Sequence, residues 1–183
     1  MSRTTIALAT AAVFLAACAG SPTVASVDGE EITAAEVTAL NTGYTDQVVY
    51  SGEAFRRDLS LLVVNLILLA SADEQFALSG LDDPAAIADK IDNPSQGEAV
   101  VLDNLSSDRT STPELVAVAA QYFVIRDAVI AELAPGAPVG DEAAGAAFNA
   151  WAGVAVGEAD VEIRSQVGVW GGPGSGIEPP PSG

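Results

Sequence analysis

Residues 55–76 constrain the fold most. Phe55, Leu59, Leu62, Leu66 and Leu69 recur at intervals of three or four, and Val63, Ile67 and Ala70 widen the stripe. That period belongs to a long helix with one apolar face, which must be covered by other elements. The uninterrupted apolar stretch is only about a dozen residues, shorter than the ~20 that a bilayer span needs. It also holds Asn65 and is bracketed by Arg56, Arg57 and Asp58 on one side and by Asp73 and Glu74 on the other. The segment therefore reads as the central helix of a packed bundle rather than as a membrane span.

Other helices announce themselves by their starts. Thr33-Ala34-Ala35-Glu36 matches a capping box and opens a helix carrying Val37, Leu40 and Tyr44, weakened near its end by Asn41-Thr42-Gly43. Gly80 is expected to stop the long helix, and Asp83-Pro84 starts another, with Asp83 as N-cap and Ile87 and Ile91 on its inner face. A short helix is expected over residues 98–105, followed by a polar loop. Thr112-Pro113 repeats the cap-then-proline start, and Leu115, Val118, Tyr122, Ile125, Val129 and Leu133 form its stripe. After a Pro- and Gly-containing turn at residues 135–140, Asp141 caps a last helix carrying Phe148 and Trp151.

Two short strands flank this helical series. Val24-Ala25-Ser26-Val27 is followed by the turn dipeptide Asp28-Gly29 and closed by Ile32, and Val161-Glu162-Ile163-Arg164 alternates apolar and polar residues. The expected fold is mainly α: one helical domain over residues 24–170 with a minor two-stranded β element. The Gly- and Pro-rich residues 171–183 read as a disordered tail. No internal repeat is visible.

Arg3 followed by an apolar run over residues 6–17 has the length of a signal-peptide core. It ends in Leu15-Ala16-Ala17-Cys18, which resembles the lipobox of bacterial lipoproteins. The resemblance implies removal of residues 1–17, lipidation of Cys18, and a short tether over residues 18–23 holding the domain to the outer side of the cell membrane. Cys18 is the only cysteine, so no internal disulfide can form and an apolar core must supply the stability. The 166 residues after position 17 are enough for one ordinary core.

Composition removes several functions. There is no histidine, so Ser-His-Asp and Cys-His nucleophilic sites are excluded, and with Cys18 claimed by lipid so are thiolate and imidazole metal sites. No carboxylate pair stands out as catalytic, no EF-hand spacing occurs, and the expectation is a protein without enzymatic activity, metal or cofactor. The net charge of −18 argues against nucleic acid as a partner. It also keeps a folded domain off anionic lipid, although an acidic bias across a whole proteome would give the same composition.

The run from Val24 to Val37 resembles the opening of SurA-type chaperone domains, which begin with a Val-x-x-Val-Asn/Asp-Gly-x-x-Ile-Thr/Ser segment leading into a helix. Residues 55–83 resemble the long helix of that family and its Gly-Leu-Asp-Asp step. Val161, Ile163, Gly168 and Trp170 resemble the closing strand of parvulin-containing foldases, whose Asn-Pro-Arg-Tyr portion is not kept here. The resemblance implies a SurA N-terminal-like domain in which the first strand pairs with the last. The parvulin isomerase domain is absent, since residues 92–140 are too few and lack its histidines, so prolyl isomerase activity is the least expected outcome.

Two functions follow as expectations. One is chaperone-like binding of unfolded or nascent exported polypeptides, with Tyr44, Phe55, Tyr122, Phe123 and Trp151 as candidate contact residues. The other is an adaptor lipoprotein that docks one envelope protein.

Overall fold

The computed structural model describes residues 21–44, 52–138 and 140–181. The expected signal peptide over residues 1–17, the lipobox-like tetrapeptide and Cys18 lie outside the described residues. Among the described residues, six helices and five short strands follow in order: β1 (Thr23–Val27), β2 (Glu30–Thr33), α1 (Ala34–Ala39), α2 (Glu53–Phe76), α3 (Pro84–Asp92), α4 (Gln96–Ser107), α5 (Pro113–Leu133), α6 (Glu142–Glu158), β3 (Val161–Ile163), β4 (Val169–Trp170) and β5 (Ile177–Glu178). The fold is mainly helical, as the periodicity predicts.

The ends of the domain meet. β1 pairs antiparallel with β3, placing Ala25 opposite Ile163 and Val27 opposite Val161. On its other edge β1 pairs with β2 through the Asp28-Gly29 turn, so the sheet has three strands in the order β2-β1-β3 rather than the two expected. Asp28 and Gly29 both have positive φ, 50° and 85°, the condition for a tight turn matching the strand twist. Residues 21–23, the described part of the stretch expected to be a tether, are held to the domain. Ala35 N–H donates to the Ser21 hydroxyl at 2.9 Å and Ala34 N–H to the Pro22 carbonyl, so the chain is already tied down at residue 21.

α2 forms the axis. It is the one helix among the described residues long and apolar enough to cross a membrane, yet Phe55, Leu59, Val63, Ile67, Leu68 and Ala72 are buried in the main core. α5 and α6 pack against it, and β1 and β5 cover its remaining side. α5 is apolar around most of its circumference because it serves three clusters, the smallest being Leu115 and Val118 with Leu40. Ile125 and Val129 face the main core, whereas Val116, Ala119, Ala120 and Phe123 pack with Leu102 of α4 and Ile87 of α3.

Cap chemistry sets the helix starts. Thr33 and Glu36 form the capping box, Asp83 caps α3 ahead of Pro84, Thr112 caps α5 ahead of Pro113, and Asp141 caps α6. Two ends and one face differ from expectation. α1 stops at Ala39, so Tyr44 lies beyond the helix. The residues between are held instead to the loop before α5, by Thr42 N–H to the Thr110 carbonyl at 2.7 Å and Thr112 N–H to the Leu40 carbonyl. α2 ends on Ala77 in the left-handed region (φ 55°), ahead of Gly80. α3 buries no residue fully, and Ile91 is exposed where an inner face was expected.

The largest correction is at the C-terminus. Residues 171–181 are not a disordered tail: β4 and β5 form an antiparallel hairpin with Trp170 opposite Ile177. Val167 and Ile177 are buried, and Ile177 N–H donates to the Ser60 hydroxyl of α2 at 3.0 Å. The glycines that suggest disorder are required by the geometry. A Cβ on Gly168 would stand 2.2 Å from the Glu178 carbonyl oxygen, and Gly176 has φ +64° with Ser60 Oγ 3.0 Å from where its Cβ would be.

Candidate functional site

Of the five aromatic residues expected to contact polypeptide, three are interior. Phe55 is 1% exposed, Phe123 7% and Trp151 8%. Trp151 packs against Phe148 and Phe76 and donates its indole N–H to Gln75 at 2.6 Å, an arrangement that fills the core and leaves no face for a client. Tyr122 is half-buried, edge-on to Phe123 and Phe148. Tyr44 is also half-buried beside Phe55, and its hydroxyl donates to Asp58 at 2.7 Å; burial, then the bond to Asp58, raises its pKa. The five do not form one surface: Tyr44 and Phe55 lie at the start of α2, and the others along α5 and α6.

A shallow groove of about 410 Å³ lies between α2, α6 and the C-terminal hairpin. Val64 of α2, Asn149, Ala152, Gly153 and Val156 of α6, and Trp170 with Pro173 of the hairpin line it. α6 can present this face because its burial is one-sided. Ala144, Phe148, Trp151 and Ala155 point into the core, while Asn149 and Gly153, a turn apart, lie on the adjoining face. Gly153 leaves that face low, since a Cβ there would meet nothing within 4 Å. The opposite wall is the turn at residues 171–176, which holds Pro173 beside Gly157 of α6: a Cβ on Gly157 would stand 3.9 Å from the Pro173 ring.

The second polar feature is an ion cluster joining α3, α4 and α5. Glu98, 1% exposed, accepts the Ser95 N–H at 2.7 Å as the return half of a capping box and faces both Arg126 and Lys90. Lys90 and Arg126 also contact Asp127 at 2.6 and 2.7 Å, and Arg126 lies 5.0 Å over the Phe123 ring. Every charge here is matched within the cluster, so its chemistry is structural. Nothing in it offers a nucleophile or an unpaired base. The Ser-x-x-Glu signal for this box stands in the sequence at Ser95 and Glu98, whereas the pairing with Arg126, 28 positions later, has no local signature.

Among the described residues, no group of three or more acidic, cysteine or histidine side chains converges as a metal site. Comparison of the chain with protein-family models, with curated proteins and with solved structures finds no match in any of the three.

Proposed function

We propose that the protein is an extracytoplasmic lipoprotein whose SurA N-terminal-like domain acts without catalysis as an adaptor, docking one envelope protein close to the membrane. The observation that carries this reading is where the aromatic side chains go. A general chaperone needs a broad exposed apolar surface, and here Phe55, Phe123 and Trp151 are spent on the interior. The open groove, about 410 Å³, has the size of a site for a small ligand or a few side chains. The antiparallel contact of β1 with β3 supports the SurA-like reading, since that relationship requires the two ends to pair. The tetrapeptide ending at Cys18 supports the anchor, and the lack of histidine supports a non-catalytic role.

Two measurements test the reading. Metabolic labelling with palmitate and membrane fractionation should find wild-type protein acylated and membrane-bound, and Cys18→Ala unlabelled; equal labelling of the two removes the anchor. Proximity crosslinking in the producing cells should return one stoichiometric envelope partner. A broad set of nascent exported chains, together with suppression of aggregation of an unrelated unfolded protein, would replace the adaptor with the chaperone.

A further inference from the structure

α3 and α4 sit outside the main core. They pack chiefly on α5; α3 buries no residue fully, and α4 buries only Glu98 and Leu102 while Val100 and Val101 stay exposed. Their apolar seat is a separate small cluster, in which Leu102 and the half-buried Ile87 lie against Val116, Ala119, Ala120 and Phe123 of α5. The base of this helix pair is fixed at both ends. Leu81, just before α3, belongs to the main core. Leu105, in the last turn of α4, reaches the cluster of Leu40, Leu115 and Val118. Beyond it Thr42 N–H bonds the Thr110 carbonyl, and the Thr112 hydroxyl donates to the Ala39 carbonyl at 2.8 Å. The tip of the pair, the turn at residues 93–95, is fixed by charge instead. Lys90 in the last turn of α3 and Glu98 in the first turn of α4 reach Asp127 and Arg126 of α5.

We propose that α3 and α4 form a flap, hinged at residues 82–83 and 108–109 and latched at its tip by the Lys90–Asp127 and Glu98–Arg126 pairs, which opens from α5 while the main core stays folded. Opening gives up the small cluster and the latch and leaves the packing of α2 with α6 and the sheet in place, the condition for a unit that unfolds or detaches below the global free energy. Two of the four seat residues on α5 are alanines, so the apolar area released is small and closure depends on the latch. The opening bares Val116, Ala119, Ala120 and Phe123, whose offsets of three, four and seven positions set them on one face of α5. The flap thus decides when that apolar stripe meets solvent. It concerns a face other than the groove and does not rest on the adaptor reading.

The test is amide hydrogen exchange of the full-length protein followed by mass spectrometry, under conditions where the rate reports the equilibrium population of each opening. Glu98→Gln removes the charge of the latch and keeps its shape, and should speed exchange of α3 and α4 about tenfold. Lys90→Gln, at a side chain 18% exposed, should speed it about threefold and supplies the measurement if Glu98→Gln does not fold. Ile67→Val weakens the main core alone. It should speed the slowest amides of α2 about fivefold and leave α3 and α4 at their wild-type rates. A thiol reports the stripe itself: with Ala119→Cys in a Cys18→Ala chain, alkylation by iodoacetamide should rise about tenfold with Glu98→Gln and stay constant with Ile67→Val. Exchange of α3 and α4 that accelerates with Ile67→Val in step with α2 would overturn the proposal, because the pair would then open only with the whole domain. Exchange indifferent to both latch variants would overturn it too, since the helices would be fraying turn by turn. Alkylation unchanged by Glu98→Gln would show that the stripe is not bared.

Discussion

The C-terminal hairpin gives the sharpest test of the fold, because composition and structure disagree about it. Ile177→Ala removes most of a side chain that is 7% exposed and sits opposite Trp170, with its backbone bonded to Ser60. A buried Ile→Ala change costs about 2–5 kcal/mol when its surroundings stay in place. Here the surroundings can leave, so the loss cannot exceed the free energy that holds the hairpin on α2. Val167 and Ile177 contribute about 1.5–3 kcal/mol each by burial, and the bond to Ser60 about 1 kcal/mol. Ordering the glycine-rich turn offsets much of that, at about 1–2 kcal/mol per residue fixed. The expected loss is therefore about 2 kcal/mol, or roughly 4–8 °C in Tm for a chain of this size. Thermal unfolding followed by circular dichroism measures it, with Val169→Ala as the control. Val169 lies on β4 but is 49% exposed, and its truncation should stay within about 0.5 kcal/mol. If Ile177→Ala, Val169→Ala and a chain ending at Trp170 all melt with the wild type, the hairpin is not part of the cooperative unit and the groove loses its wall.

The ion cluster separates buried from exposed carboxylates. Glu98→Ala leaves Lys90 and Arg126 with Asp127 alone and leaves the Ser95 N–H without its carboxylate, so urea denaturation should show a loss of about 2 kcal/mol. Asp127→Ala, whose carboxylate is 42% exposed, should lose less than about 1 kcal/mol, and equal losses would refute the assignment. Burial raises the pKa of Asp127, but the bonds and charges of Lys90 and Arg126 outweigh it and hold the carboxyl below its ordinary value of 3.8. A depressed carboxyl contributes stability that is complete above pH 3.8 and is lost as pH falls through the lowered value. Asp127→Asn should accordingly flatten the fall of Tm below pH 3.8, and an unchanged slope would remove Asp127 from the acid limb. Gly153→Ala should stabilise α6 by up to about 1 kcal/mol through helix propensity, raising the urea midpoint; a lowered midpoint would mean that the groove face is occupied in the free protein.

Helix starts were legible because a cap is a local device. Thr33 with Glu36, Asp83 with Pro84, Thr112 with Pro113, and Asp141 each satisfy orphan amides within a few residues of themselves, so sequence alone contains both partners. The pairing of β1 with β3 was reachable only through family resemblance, since nothing in Val161-Glu162-Ile163 names Ala25 as its partner across the length of the chain. The hairpin was lost for a different reason. Its glycines are read by composition as freedom, whereas the Gly168 backbone lies where any Cβ would collide with Glu178. The candidate site failed in the same way. Aromatic side chains suit a core and a client surface equally, and the choice depends on whether α5 and α6 leave them covered, which residue type cannot state.

The proposed anchor and the groove meet at one end of the β sheet. Arg164 N–H donates to the Val24 carbonyl at 3.0 Å, so the chain leaves β3 toward the hairpin beside the point where it enters β1 from the tether. With lipid on Cys18, only a few residues separate the membrane from Ser21, already held by Ala35, and an extended chain spans at most about 3.6 Å per residue. A partner seated against Trp170 would then be held within a short reach of the bilayer on the side from which the tether emerges. Detaching the hairpin would free that partner and also uncover one side of the main core, because Val167 and Ile177 belong to that core and Trp170 packs against it. Ser60→Ala supplies the discriminating case. It removes a bond to the hairpin from a helix whose own burial it leaves intact, so it should weaken capture of a partner seated there by about fivefold for the roughly 1 kcal/mol lost. Global Tm should move less than for Ile177→Ala. A larger drop in Tm with unchanged capture would mean that the hairpin serves the core and not the groove.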